Sequence, residues 1–265
     1  MIYKKAKDIN DALLMMQESP RFVLFSGGSD MSLKLFQNRY EGMIDISSLE
    51  ELQYINGDAS CIKIGALTTI NTLLESLLIE KYLPHLYEVC KTFASHQIRN
   101  IATLGGNIIN DSPAADLIAP LLVVDTKVTL QSIESERTLL LEELFDGFKS
   151  LKMKNEIVTS FTIIPRKESW YYRKVGARER LNVTKLSLVM LKSEDKFYLS
   201  GASLSPYVKR FKNLEKLLSS GIFNDADIQK AMRDDISLSE GSRSTKEYRE
   251  RVLFNMIKEA LEQLA

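Results

Sequence analysis

The first part of the chain alternates short apolar runs with polar turns, a pattern that predicts alternating strands and helices. Phe22 to Phe25 are consecutive apolar residues and predict a buried strand. A helical apolar period over residues 11–18 predicts a helix before it, with Asn10 as the N-cap. Met43 to Ile46 predicts a second strand. A helix predicted over Asp30 to Gln37 lies between the two strands, so we expect them to be parallel.

The middle of the chain surrounds one long polar segment with further strands and helices. Residues 95–116 are polar, contain two adjacent glycines and exceed the length of an ordinary connection in a compact domain. Apolar residues are spaced along this segment, so we expect it to be ordered and functional. The flanking apolar runs predict strands at 61–65, 128–131, 138–141 and 157–164, and helices at 70–78 and 84–94.

The pattern changes after Pro165 to Lys167, which is the best candidate linker. Three predicted strands are followed by three predicted helices, and this order is typical of an α+β domain. The strands are predicted at 170–175, 186–191 and 197–204, and the helices at 210–218, 225–232 and 244–264. We therefore predict two domains, residues 1–166 and 167–265.

Composition and charge exclude several classes of function. Lys plus Arg and Asp plus Glu both number 35, so the chain lacks the basic excess of a dedicated nucleic-acid-binding protein. Two cysteines cannot form a disulfide-dense scaffold or supply the four ligands of an iron–sulfur cluster, and the spacing of the two cysteines and two histidines predicts no metal site. No apolar signal core or membrane-spanning run occurs, so we expect a cytoplasmic protein that does not contact a membrane.

The first segment that could carry chemistry is Ser26-Gly27-Gly28-Ser29-Asp30, between a predicted strand and a predicted helix. Adjacent glycines permit positive φ and close backbone approach, so amides can point into a concavity that suits a phosphate. The alternative is a tight turn in which Asp30 caps the helix. Taken alone, this segment leaves both interpretations open.

The second such segment is Thr103-Leu104-Gly105-Gly106-Asn107, which Asp111, Ser112 and Asp116 follow. Two glycine loops could hold the two phosphates of a dinucleotide from opposite sides. Neither a Gly-Lys-Ser/Thr phosphate loop nor a GxGxxG fingerprint occurs, so a different architecture would have to bind the dinucleotide. The alternative is a loop kink with Asp116 as a helix cap. We expect Asp111 to be a solvated loop acid.

The order of these segments carries a family resemblance. The matching motifs are FSGGSDM at 25–31, IGALTTI at 64–70, QIRNIATLGGN at 97–107, SPAAD at 112–116, NEIVTSFTIIP at 155–165, YRKVGAR at 172–178 and SRSTKEYR at 242–249. The chain resembles the FAD-binding (medium) subunit of the molybdenum hydroxylase family, which includes xanthine, carbon monoxide and nicotinate dehydrogenases. The resemblance implies an α+β fold. It would comprise a two-part FAD-binding domain of the vanillyl-alcohol-oxidase (PCMH) type, with subdomains at about 1–56 and 57–166. A C-terminal domain of a small antiparallel sheet and a helical bundle would follow.

The resemblance also implies a set of FAD-binding residues. The set is Ser26, Gly27, Gly28, Ser29, Asp30, Met31, Ala66, Thr68, Thr103, Gly105, Gly106, Asn107, Ser112, Asp116 and Lys174. Ser26 and Ser29 replace an alanine and a threonine of the family's first loop, and both replacements keep the side chain small. His85 and His96 could attach a flavin covalently, although a packed or plain polar role is more common for a lone histidine.

The implied function is electron transfer. FAD would take electrons from an iron–sulfur subunit and pass them to an acceptor such as NAD, while a molybdopterin-binding subunit would carry out the hydroxylation. No residue of this chain is then expected to be catalytic. Two alternatives stay open: a stand-alone FAD oxidoreductase, and a non-catalytic nucleotide-binding assembly module.

Overall fold

The computed structural model describes residues 1–32, 40–176, 183–239 and 244–265. The chain begins with a three-stranded parallel sheet in the order β1-β3-β2. Its strands are β1 (Ile2–Lys5), β2 (Phe22–Phe25) and β3 (Gly42–Asp45). Helix α1 (Ile9–Glu18) packs on this sheet and buries Ala12 and Leu13. The predicted parallel pair is therefore confirmed.

Two details of this first unit differ from the sequence-based expectation. Strand β1 was not predicted, and α1 is capped by Asp8, whose side chain accepts from the Asp11 amide at 2.8 Å, rather than by Asn10. The helix predicted over 30–37 has its first helical residues at Met31 and Ser32, and residues 33–39 lie outside the described part.

The second unit is a five-stranded antiparallel sheet in the order β4-β5-β10-β6-β7, with short helices packed against it. The strands are β4 (Ile55–Gly57), β5 (Ile62–Gly65), β6 (Lys127–Gln131), β7 (Glu136–Leu140) and β10 (Ile157–Ile163), and a hairpin adds β8 (Phe145–Gly147) and β9 (Ser150–Leu151). The helices are α2 (Ile70–Glu75), α3 (Leu77–Tyr82), α4 (Pro84–Lys91), α5 (His96–Arg99), α6 (Leu104–Ile109), α7 (Ile118–Leu122) and α8 (Leu141–Leu144). A 3₁₀ turn spans Glu50–Leu52. The long polar segment at 95–116 is thus ordered by the two short helices α5 and α6.

The last unit is the predicted meander followed by three helices. Strands β11 (Ser169–Gly176), β12 (Thr184–Ser193) and β13 (Lys196–Ser200) form an antiparallel sheet in sequence order. Helices α9 (Lys212–Ser219), α10 (Asp225–Asp235) and α11 (Lys246–Gln263) follow. The α+β fold class is confirmed. Within the described residues, no helix is both long and apolar enough to cross a membrane.

Strand β12 is buried on both faces and joins two cores. Leu186, Leu188 and Met190 pack with the C-terminal helices, whereas Val189 and Leu191 pack with the core of the five-stranded sheet. The split follows from the two-residue period of a strand. The predicted domain boundary near residue 166 falls between β10 and β11 and stays a prediction.

A buried pair of titratable groups lies at this boundary. His85 on α4 is 1% exposed, its Nε2 lies 3.2 Å from the Pro120 carbonyl oxygen, and its Nδ1 lies 3.6 Å from Oε1 of Glu168. Burial lowers the pKa of His85 to about 4, against the effect of the Pro120 carbonyl. Burial also raises the pKa of Glu168 to about 7, against the attraction of Arg166. At neutral pH the imidazole is therefore uncharged, and a large fraction of Glu168 is protonated.

This burial predicts a pH-dependent stability difference between the wild type and Glu168→Gln. Between its ordinary pKa near 4.5 and its folded pKa of about 7, Glu168 binds a proton in the folded state but not in the unfolded state. The stability that the raised pKa of Glu168 contributes to the wild type is therefore fully present below pH 4.5. It is lost as the pH rises to 7. Glutamine cannot ionise. The free energy of unfolding of the variant should rise relative to wild type by on the order of 1 kcal/mol per pH unit over this window, and the difference should be constant above it.

Urea unfolding at a series of pH values measures that difference. Glu136→Gln on the edge strand β7 is the control, because Glu136 is exposed and its variant should track the wild type at every pH. A pH-independent difference for Glu168→Gln would show that Glu168 is ionised in the folded protein.

Candidate functional site

The first glycine loop follows the carboxyl end of β2. Gly28 has φ +66°, and a Cβ there would lie 2.3 Å from the Phe25 ring, so only glycine fits. Its carbonyl accepts from the Ser32 amide at 3.0 Å and begins the helical turn. The backbone amides of Gly27, Gly28 and Ser29 donate to no other described residue. These three neighbouring amides have no acceptor among the described residues, so they are available to bind an anion.

The second glycine loop is built differently, because it uses its amides internally. Thr103 caps α6, and its Oγ1 accepts from the Gly106 amide at 3.1 Å. The Gly105 amide donates to the Ala66 carbonyl at 2.8 Å, and the Leu104 amide donates to the Thr68 carbonyl at 3.0 Å. This loop therefore contributes hydroxyl groups and an exposed glycine surface rather than free amides.

The two loops lie in contact with each other. A Cβ on Gly27 would lie 1.6 Å from the Ile101 carbonyl oxygen, so the backbones meet at a distance that no other residue permits. Ser26 Oγ lies 3.3 Å from Thr103 Oγ1. The sequence led us to expect loops on opposite sides of a dinucleotide. The structure instead joins them edge to edge, as one continuous surface.

Ala66 and Thr68 support this surface from below. Both are buried, and the Thr68 hydroxyl donates to the Tyr54 carbonyl at 2.9 Å. Their backbone carbonyls hold the second loop, as described above. Their predicted role in cofactor binding stays a prediction.

The segment after α6 carries the remaining predicted residues of the first two units. The Asn107 side chain accepts from the Leu117 amide at 3.2 Å, and Ser112 Oγ accepts from the Ala114 amide at 3.3 Å. Both bonds fix the local backbone. Asp30 and Met31 lie at the far end of the first loop, where Asp30 is exposed and Met31 is half-buried.

Asp116 and Lys174 are brought together across the two parts of the chain. Lys174 Nζ lies 2.7 Å from Asp116 Oδ2, and the two side chains are 7% and 11% exposed. Lys174 also donates to the Thr92 carbonyl at 3.1 Å, and Thr184 Oγ1 donates to Asp116 Oδ1 at 2.6 Å. The Asp116 carboxylate is therefore the point at which strand β11, strand β12 and the end of α4 meet.

Two further members of this cluster, Thr184 and Tyr172, are not among the predicted site residues. Tyr172 Oη lies 2.7 Å from Thr92 Oγ1, and burial raises the pKa of its phenol. Tyr172 and Lys174 are two residues apart in β11, so they share one face of the strand. This two-residue spacing is the sequence pattern that could have linked Tyr172 to Lys174. Thr184 carries no comparable signal in the sequence.

The burial of Asp111 differs from the sequence-based expectation. We expected a solvated acid, but Asp111 is 1% exposed, has φ +43°, and neither carboxyl oxygen has a hydrogen-bond partner in the described chain. Burial raises its pKa to about 6, although the backbone amides of Lys149 and Ser150 in the β8–β9 hairpin oppose the shift. The residue before Ser112 is thus a buried acid.

The other chemistry-bearing residues have structural environments. His85 is packed, as described above, and His96 is exposed at the start of α5. Cys90 is buried, which raises the pKa of its thiol. Arg99 donates to the carbonyls of Phe93 and Ala94 at 2.9 and 3.3 Å. In the described residues, no group of three or more His, Cys, Asp or Glu side chains could hold a metal ion.

The chain has clear relatives among known proteins. The xanthine dehydrogenase FAD-binding subunit of Escherichia coli O157:H7 is 31% identical over 168 residues, which are 62% of this chain and 58% of that protein. The chain thus spans less than two thirds of that relative's length. The nicotinate dehydrogenase FAD-subunit of Eubacterium barkeri is 31% identical over 213 residues, which are 74% of this chain and 71% of that protein.

A solved structure has the same fold. Carbon monoxide dehydrogenase from Hydrogenophaga pseudoflava, in a form that lacks the Mo-pyranopterin moiety, superimposes with a TM-score of 0.90. The match covers 100% of this chain and 98% of that one, at 24% sequence identity. At that identity the likeness establishes the fold alone.

Residues 1–167 match the family model described as the FAD binding domain in molybdopterin dehydrogenase. The match includes both glycine loops and the segment that ends at Asp116. It confirms the predicted family and the predicted cofactor, FAD. The chain belongs to the family of FAD-binding domains of molybdopterin dehydrogenases.

Proposed function

We propose that this chain is the FAD-binding, electron-transferring subunit of a molybdenum-containing hydroxylase or dehydrogenase complex. The observation that carries the proposal is the joined pair of glycine loops. The first loop offers three amides without an acceptor in the described chain, and the second adjoins it through Ser26 and Thr103. FAD supplies the redox chemistry when bound, since its ring accepts and releases electrons.

The residues present fit this cofactor at its pyrophosphate and on its flavin side. Amides of Gly27, Gly28 and Ser29 would hold the pyrophosphate, as backbone amides commonly bind phosphate groups. Ser112 and Asp116 lie on the segment that follows the second loop, and Lys174 on β11 pairs with Asp116. We assign these three residues to the flavin side. The remaining predicted residues position the loops. No residue of this chain acts as a general base in the proposal.

The proposed partners are an iron–sulfur subunit and a molybdopterin-binding subunit. The chain's two cysteines and two histidines do not cluster in the described residues, so they cannot ligate an iron–sulfur cluster of its own. The E. coli and E. barkeri relatives are themselves named as subunits. NAD is the proposed final acceptor, and the cytoplasm is the proposed location.

The first prediction concerns the flavin. The purified chain, reconstituted where necessary, should show flavin absorbance and contain one FAD per chain. Acid or heat should release it, because His85 is packed against Pro120 and Glu168 and we expect His96 to be a plain polar residue rather than an attachment point. Chromatography of the released flavin identifies it. Recovery of FMN, or of no flavin after reconstitution, would contradict the proposal and leave the nucleotide-binding assembly module as the better interpretation.

A second prediction tests the loop surface by comparing Gly106→Asp with Gly106→Ala. Gly106 is exposed, and a Cβ there would meet Thr103 Oγ1 at 2.8 Å and Ser26 Oγ at 3.7 Å. Both variants carry this Cβ, but only aspartate adds a negative charge beside the proposed pyrophosphate. We expect Gly106→Asp to bind FAD at least about tenfold more weakly than Gly106→Ala, a difference of about 1.4 kcal/mol.

Fluorescence titration of the apoprotein with FAD measures these affinities. Gly221→Asp is the control, because Gly221 lies outside both loops and has open space around its Cβ position. The strain of aspartate at its φ of +72° acts on stability and not on the loop surface. Its FAD affinity should equal that of the wild type. Equal affinities for the two Gly106 variants would show that the loops are structural turns.

The third prediction concerns the complex. A tagged chain isolated from its native host should co-purify with two further subunits, and the assembly should contain iron and molybdenum. The FAD-loaded chain alone should not hydroxylate N-heterocycles with an artificial electron acceptor, whereas the assembly should oxidise its substrate. Comparable turnover by the metal-free single chain would overturn the subunit assignment and favour a stand-alone FAD oxidoreductase.

A further inference from the structure

The motif SRSTKEYR at 242–249 ends in a buried arginine that the proposed function does not use. Arg249 lies in the first turns of α11 and is 8% exposed. Its Nη1 donates to the Ser203 carbonyl at 2.8 Å, and its Nη2 donates to the Ser239 carbonyl. In the described parts of the chain, no acidic side chain forms an ion pair with it. Within the described residues this buried cation is held by backbone carbonyls alone, and buried charges are costly unless hydrogen bonds satisfy them, so they concentrate where function requires them.

Ser203 is the residue through which Arg249 reaches the candidate site. It has φ +62°, a left-handed conformation that is unfavourable for serine and needs support from its surroundings. Its backbone amide donates to the Pro113 carbonyl at 2.6 Å, and its Oγ donates to the Thr184 carbonyl at 3.1 Å. Arg249 binds the remaining polar group of Ser203, its carbonyl.

Pro113 lies inside the segment Ser112 to Asp116. The C-terminal part therefore holds this segment at two points, through Ser203 at Pro113 and through Thr184 and Lys174 at Asp116. Thr184 takes part in both, since its hydroxyl binds Asp116 and its carbonyl binds Ser203. A shift of the Ser203 turn would move both attachments together.

We propose that Arg249 is a positioning residue for the flavin, because it fixes the Ser203 turn that holds the segment Ser112 to Asp116. The proposal rests on the function proposed above. It requires arginine specifically: the planar guanidinium presents several donors in a fixed geometry and reaches carbonyls of two separate segments, whereas lysine presents a single point charge.

The test compares Arg249→Lys and Arg249→Ala with Arg251→Ala in the full-length chain. Arg251 is exposed on the same helix, so its variant controls for the loss of a positive charge from α11. Both Arg249 variants should bind FAD at least about tenfold more weakly than wild type and should shift the visible absorbance spectrum of the bound flavin. Arg251→Ala should match the wild type in both measurements.

A double-mutant cycle with Asp116→Asn separates positioning from general stability. If Arg249 acts through the segment that contains Asp116, the effects of Arg249→Lys and Asp116→Asn on FAD affinity should be non-additive. Arg249→Lys keeps the charge and is the variant on which the cycle relies if Arg249→Ala does not fold.

Two results overturn the inference in different ways. A lower unfolding temperature of the apoprotein, with unchanged FAD affinity and flavin spectrum in Arg249→Lys, would limit Arg249 to a structural role and leave the proposed function intact. Failure of the wild-type chain to bind FAD would overturn the proposed function and this inference together.

Discussion

The candidate site depends on the close approach of Gly27 to the Ile101 carbonyl. Gly27 ends the strand-to-loop transition of the parallel sheet, whereas Ile101 precedes the second loop, which packs on the five-stranded sheet through Ala66 and Thr68. Any side chain at Gly27 would separate the two loops. The hydroxyl contact between Ser26 and Thr103 requires the same approach. One steric constraint therefore brings two sheets of different topology to a single surface.

A second constraint ties the C-terminal part to that surface. The Asp116–Lys174 pair is largely removed from solvent, and removing two charges from water is favourable only when further hydrogen bonds satisfy them. Thr184 and the Thr92 carbonyl supply those bonds. Since loss of any one member would leave a buried charge with fewer partners, the cluster favours a single relative arrangement of the segments that meet there.

Much of this architecture could be predicted from the sequence, because it is encoded locally. The glycine pairs are contiguous, and the apolar runs of β2 and β12 and the period of α11 each span several residues. The helices α5 and α6 were missed because four to six residues are too few to show a helical period. The contacts of Asp116 with Lys174 and Thr184 span 58 and 68 residues in sequence, so no local sequence pattern predicts them. Asp111 was misjudged for the same reason, since the β8–β9 hairpin that covers it lies far along the chain.

The composition of the first loop determines how it can bind an anion. From Ser26 to Ser32 the sequence contains no lysine or arginine, and Asp30 carries a negative charge. These seven residues therefore offer a pyrophosphate only backbone amide and hydroxyl dipoles, and no cationic side chain of their own. Dipole interactions decline more steeply with distance than those of a full charge, and hydrogen bonds weaken steeply when they are misaligned. Affinity at such a loop depends on backbone position within a few tenths of an ångström. For the function proposed above, this dependence gives a role to the buried bonds around the loops, from the Gly105–Ala66 and Leu104–Thr68 bonds beneath them to the Ser203–Pro113 bond at the C-terminal side.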